Sequence, residues 1–428
     1  MFTPRQDPGS SPVPTYRQKL SLIGSLYVAQ AIPLGFFLTA LPVILREGGL
    51  PHETVGLFAM VAMPWILKWA WAPFVDRFGA GSRHGHYRSW IAVLQTMSVA
   101  AVVVMSWIEP SVQLVVLAAV AAVFMLVSAT QDVATDGLSV RILGASERGP
   151  GNGWQVGGYY LGQVLGGGVM LVVFSRFGWS VAMLAMASFL ALPLAQIARF
   201  RESSAPDGPV HERVGFRDLG RFLKRTGSRW VAILLVFRIG ETVSLFVYHQ
   251  HLVDLGLGLD QIGFVVGVVE SLAAFIGALL GGHLLLQLGR RTALVTFASL
   301  QAGAIASLLL PTFGAHHGAV LLAVAAGVAF TGGMATAALY TAMMDAAGQR
   351  TAGTDFTLQQ SLAAVGPIIA TGLSGFVVAL GGYGALYALA VGLALLAVTL
   401  VRGATLPQAE RLPAEPDAAR EGDGVVFA

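Results

Sequence analysis

The chain has 428 residues, 55% of them hydrophobic and only 11% charged, with a mean hydropathy of +0.70. A water-soluble domain carries about a quarter of its residues charged, so composition excludes a soluble globular protein. The net charge of +3 invites a nucleic-acid partner, but the basic residues lie in short connections between apolar runs, where membrane topology accounts for them.

The first 19 residues are polar and proline-rich, and we expect a cytoplasmic tail. The apolar run after them is too long for the core of a signal peptide and has no small-residue cleavage site, so it reads as a retained first span. Runs of the roughly 20 residues that cross a bilayer then recur along the chain. Broken at charge and Gly/Pro clusters, they predict an all-α membrane protein of about twelve spans. The first six fall near residues 20–44, 55–75, 89–107, 112–140, 153–175 and 179–199; the second six near 229–251, 261–287, 292–311, 318–344, 355–379 and 382–401. The polar segment 201–228 divides the chain into six-span halves, 20–200 and 229–402, and the Pro/Ala/acid-rich segment 403–428 is expected to be a disordered cytoplasmic tail.

Lys and Arg collect in alternate connections, as the positive-inside rule requires of cytoplasmic loops. They include Arg17 and Lys19, Arg77, Arg83 and Arg88, Arg141 and Arg148, the basic central segment, and Arg290, Arg291 and Arg350. The opposite connections offer little beyond Arg46 and Arg176, so both termini are expected in the cytoplasm. The halves also rhyme: DRFGAGSR follows the second span and LQLGRR the eighth, the kind of duplication from which many secondary transporters are built.

Asp76, Arg77 and Gly79, with Gly282, Gly289, Arg290 and Arg291, resemble the G-x-x-x-D-R-x-G-R-R loop of the major facilitator superfamily, although Leu286 and Gln287 replace the acidic and basic pair in the second copy. The runs PWILKWAWAPFVDRFG, QDVATDGLSVRIL followed by ERG, and GWQVGGYYLGQVLGGG are similar to the group holding the AmpG muropeptide permease and the rhizobactin/pyochelin-type siderophore importers. AGTDFTLQQSL resembles the siderophore branch, and AmpG-type permeases usually carry further spans beyond these twelve. The resemblance implies proton-driven import of a ferric siderophore across the bacterial inner membrane, with a muropeptide permease or another small-molecule proton symporter as the alternative. It also implies a cytoplasmic gate, for which Asp76, Arg77, Arg83, Asp136, Arg141, Arg290 and Arg291 are the candidates.

An ionisable group at membrane depth is costly, at least ~2.5 kcal/mol on insertion scales, and faces water or a partner. Arg238 and Glu241, three apart in the seventh span, either form a static pair or divide the work, Glu241 taking a proton while Arg238 holds an anion. Lys68, among Trp65, Trp69 and Trp71, either snorkels to the cytoplasmic face, pairs with Asp132 or offers charge to substrate. Glu270 has no local counter-charge in the sequence and is a second candidate proton carrier. Asp132 and Asp136 are four apart in the fourth span, where like charges repel. Asp136 is expected to pair with loop arginines, while Asp132 remains a candidate for the cavity or proton path.

Gln155, Tyr159 and Gln163 form a polar stripe on the fifth span, with Trp154 and Tyr160 beside it. The stripe either lines a cavity or bonds to neighbouring helices. Trp65, Trp154 and Tyr248 are further candidates for substrate contact, although interfacial anchoring also suits Tyr248, His249 and His251. With no cysteine, disulfides, CxxC redox motifs and thiolate metal sites are excluded together. No phosphate loop, HExxH or GxSxG is present, so we expect neither enzyme activity nor a cofactor or resident metal. The expected partners are a small-molecule cargo, protons and lipid, with no nucleic acid and a monomeric chain. A membrane enzyme using Asp132, Asp136 and His84 is the competing class, which the missing motifs and duplicated halves oppose.

Overall fold

The structure is a computed structural model that describes residues 14–51, 59–78, 85–110, 112–202 and 214–408. Among them, nine helices are long and apolar enough to cross a membrane. Two of these fold back on themselves, Arg148–Arg199 at Gly178 (φ 79°) and Ala352–Arg402 at Gly382 (φ 73°), each dividing into two spans. Only glycine adopts such a left-handed conformation without strain. The second span, 59–77, is a chain of short helical pieces and so falls outside the nine. The result is the expected set of twelve spans in two six-helix halves.

The broken second span follows from its prolines. Pro64 and Pro73 each stand in the first turn of a short helix, Met63–Leu67 and Ala72–Arg77, where proline's missing N–H costs nothing. Between them Lys68–Ala70 makes a tight three-residue turn. The seventh span also breaks, at Phe237 and Arg238, and Arg238 (φ −96°, ψ −4°) stands as the cap of the helix Ile239–Asp254. Non-helical backbone at membrane depth is tolerated where it is buried in protein or lines a cavity. Lys68 and Arg238, two cations that line one cavity, both sit at such breaks.

A helix precedes the seventh span, joined to it at Gly227 (φ 80°) within Phe216–Val236. It buries Leu219 and Phe222 against Ala346 and Leu358 of the second half, and Arg225 donates to the Ala346 carbonyl at 2.8 Å. The central connection therefore rides on one end of the second half, called here the linker end.

At that end the halves meet through glycines. A Cβ on Gly149 would lie 2.7 Å from the carbonyl oxygen of Gly282, and one on Gly153 would lie 2.9 Å from that of Ala278. Small residues of this kind let transmembrane backbones approach, and here they bring the fifth span against the eighth. A shared apolar cluster, including Leu138, Leu294, Met343 and Phe356, continues the seal, while separate clusters fill each half toward the far end.

Candidate functional site

The fourth span carries the polar centre. Lys68 ion-pairs with Asp132 and lies 3.8 Å from Asp136, and from the second half Gln360 accepts a hydrogen bond from its ammonium at 2.6 Å. Trp65 stands 5.5 Å from the same nitrogen, in cation–π range. Asp136 is fully buried; Tyr27 and Gln155 donate to its Oδ1, the latter at 3.2 Å, while Oδ2 has no hydrogen-bond partner. Lys68 therefore does not snorkel: the break in its span turns it inward to serve two carboxylates.

Above this network lies a cavity of about 290 Å³, walled by Gln30, Lys68, Asp132, Gln155 and Tyr159 of the first half and by Arg238, Tyr340 and Gln360 of the second. Among the described residues no carboxylate lies within 4.0 Å of Arg238 to pair with it, and its Nε lacks a hydrogen-bond partner. Tyr340, Glu241, Tyr160 and Tyr159 are the groups that act on the guanidinium, Glu241 from beyond ion-pair distance. Of the two readings offered for Arg238 and Glu241, the static ion pair is not formed within 4.0 Å, although the two charges attract each other across the helix break at Arg238.

A second cavity of about 370 Å³ shares Tyr159 and Tyr160 with the first and extends toward the far end. Three helices loosen into π-turns beside it, at Phe36–Ala40, Val164–Val169 and Val265–Glu270, and each contributes wall residues: Leu38 and Thr39, Gly167 and Gly168, Gly267 and Glu270. Such turns recur at functional sites. Glu241 and Gln163 complete the polar part of the wall. The stripe on the fifth span thus follows the cavities, Gln155 in the first, Tyr159 in both, Gln163 in the second.

Glu270 has a partner after all, His249, whose Nε2 lies 2.9 Å from its carboxylate. The two are remote in sequence, and a span-to-span contact brings them together. Two further expectations need correcting. Tyr248 is buried and donates to the Leu321 carbonyl at 2.9 Å, inside the core of the second half and away from both cavities. Trp154 lines neither cavity, because its ring covers Gly24 of the first span.

At the linker end, Asp76 accepts from the Tyr87 hydroxyl at 2.6 Å and, across the halves, from the Thr354 N–H at 2.8 Å. Thr354 opens a long helix, where an anion meets the positive end of the helix dipole. Arg141 donates to the Gln349 carbonyl at 3.1 Å and stacks over Tyr87. Arg148 and Arg290 share Asp345 at 2.8 and 2.7 Å, and Arg290 also reaches the Ala145 carbonyl. Outside the spans, burial pushes the Glu202 carboxyl up from its ordinary range, against the Arg88 N–H and Arg141.

The other gate candidates fare differently. Asp136 is in the polar centre and pairs with no loop arginine among the described residues. Arg77 is exposed beside Phe78, in no ion pair among the described residues. Arg291 bonds to the Arg402 carbonyl within its own half. Arg83 and His84 lie outside the described residues.

A family model described as the Major Facilitator Superfamily matches residues 23–362 and 231–424. The chain belongs to the Major Facilitator Superfamily. It is 28% identical over 376 residues to the anhydromuropeptide permease of Escherichia coli K12, covering 86% of this chain and 75% of the relative. In structure it resembles the human organic anion transporter MFSD10 (TM-score 0.70, 16% identity, 91% of this chain and 100% of the other). It also resembles the superfamily transporter FucP in the outward conformation (TM-score 0.71, 13% identity, 90% and 99%). These structural likenesses establish the fold. None of the three relatives is named as a siderophore importer.

Proposed function

We propose that this Major Facilitator protein is a proton-coupled permease for an anhydromuropeptide, the alternative reading of the sequence rather than the siderophore reading. The carrying observation is Arg238, a cation without a carboxylate partner among the described residues, in a cavity walled by Trp65, Tyr159, Tyr160 and Tyr340. An anhydro sugar stacks on aromatic faces, and a peptide carboxylate pairs with a guanidinium in a bidentate fork. The two adjoining cavities suit an elongated cargo with chemically different ends. The similarity to the E. coli permease supports the same cargo.

Proton coupling falls to the polar centre. One lysine faces two carboxylates, Asp132 and Asp136, so a proton gained or lost by the pair changes its balance with Lys68. Because Lys68 also holds Gln360 of the other half, that balance reaches the junction that opens and closes. Asp76, Arg141, Arg148 and Arg290 form the gate at the linker end, and alternating access consists of breaking these contacts while the far end closes. We place the chain in the bacterial inner membrane with its termini and central connection cytoplasmic, acting as a transporter and not an enzyme.

Uptake of labelled anhydromuropeptide into cells lacking their own permease, set beside uptake of labelled ferric siderophore, tests this reading. Import of the first and not the second is expected; the reverse restores the siderophore reading and removes this one.

A further inference from the structure

Glu241 is a buried acidic residue that the mechanism above leaves unused. It is 5% exposed, lines the second cavity, and its Oε2 has no hydrogen-bond partner. The tenth span makes room for it: a Cβ on Gly332 would stand 2.0 Å from its Oε1. Arg238 attracts its carboxylate and Gln301 lies beside it, while Oε2 has no hydrogen-bond partner. Glu270 across the cavity is already engaged by His249. Arg238 lines the first cavity and Glu241 the second, so opposite charges that attract each other without an ion pair within 4.0 Å face adjoining cavities sharing Tyr159 and Tyr160, whose rings meet edge to face at 5.6 Å.

A buried charged group with an unsatisfied polar atom is costly, and Arg238 Nε and Glu241 Oε2, both without a hydrogen-bond partner and on residues of adjoining cavities, fit one ligand that satisfies both. We propose that the second cavity is an ammonium subsite: the cargo is a zwitterion lying across Tyr159 and Tyr160, its carboxylate on Arg238 and its ammonium on Glu241. The tyrosine faces add cation–π attraction to the same group. This rests on the permease reading and narrows its cargo to muropeptides whose peptide carries a free amine.

The test is counterflow exchange in proteoliposomes with three labelled probes: an anhydromuropeptide with a free side-chain amine, the same compound N-acetylated, and the anhydro sugar without peptide. The wild type is expected to prefer the free amine over its acetylated form by about tenfold or more, the scale of one charged hydrogen bond. Glu241→Gln should bring the two within about twofold while still exchanging the acetylated probe, and Glu241→Asp should keep the preference. Equal exchange of all probes by the wild type overturns the subsite and leaves the permease standing. So does a Glu241→Gln variant that keeps the amine preference and loses only protonophore-sensitive accumulation, since that assigns Glu241 to proton movement. Equal loss of every probe in both variants overturns it too, by making Glu241 a structural residue. If the wild type exchanges none of the three, the permease reading fails and the subsite with it.

Discussion

Replacing Lys68 by Met removes the one cation that serves two buried carboxylates. Its ammonium ion-pairs with Asp132, and at the 3.8 Å separating it from Asp136 the Coulomb attraction alone is about 4 kcal/mol at an effective dielectric of 20. Removing one partner of a buried pair costs about 3–5 kcal/mol, because the other charge stays behind without compensation. Lys68→Met should therefore lower the thermal midpoint in detergent by several degrees. Lys68→Met with Asp132→Asn, which removes a charge of each sign, should recover most of that loss, since contacting residues couple by about 0.5–3 kcal/mol. A thermal-shift cycle of wild type, both single variants and the double variant measures the coupling directly. Additive losses would refute the reasoning, as they would mean that Lys68 and Asp132 contribute independently.

Three other outcomes follow from the same geometry. Arg238→Ala should raise the KM for exchange of a carboxylate-bearing cargo by about 10- to 150-fold, the loss of one charge-assisted contact, and Arg238→Lys should recover only part of it because the fork is gone. Gly282→Val should prop the linker end apart, since even a Cβ there would lie 2.6 Å from the Gly149 carbonyl. Because the chain has no native cysteine, a cysteine pair placed at Arg148 and Asp345 should be joined by a short bifunctional thiol reagent more readily in the parent than in that variant. Glu202, raised by burial, binds its proton more tightly folded than unfolded. Its contribution is present below the ordinary glutamate range and is lost as pH rises through the raised folded value, so Glu202→Gln should flatten the profile of thermal midpoint against pH across that window.

The spans were legible because hydrophobic runs and Gly/Pro breakers act locally. The observed helices Leu114–Ile142 and Gly318–Ala346 lie within a few residues of the runs that predict them. The break at Lys68 was also written locally, in Pro64 and Pro73. What sequence does not carry is the rotation of one helix against its neighbours. Asp136 lies five residues before Arg141, near it in depth, yet five residues turn a helix to about 140° away. So Arg141 faces the linker-end junction while Asp136 faces Tyr27 and Gln155. The cavity's members that the sequence did not single out are Tyr27 and Gln30 on an apolar span, Tyr340, and Gln360, which sits in the polar run 354–361 beside Gln359 and Ser361. Tyr27 and Gln30 do stand three apart, on one helical face, and that spacing was the available signal. His249 and Glu270 were each visible, and only tertiary contact makes them a pair.

The central claim, a muropeptide permease worked by protons through Asp132 and Asp136, is tested most directly in sealed proteoliposomes carrying an imposed proton gradient. The account predicts that labelled anhydromuropeptide accumulates above its equilibrium level and that a protonophore abolishes the accumulation. It also predicts that Asp136→Asn loses net accumulation while retaining exchange. Accumulation that ignores the protonophore, or accumulation of ferric siderophore in place of muropeptide, would contradict it.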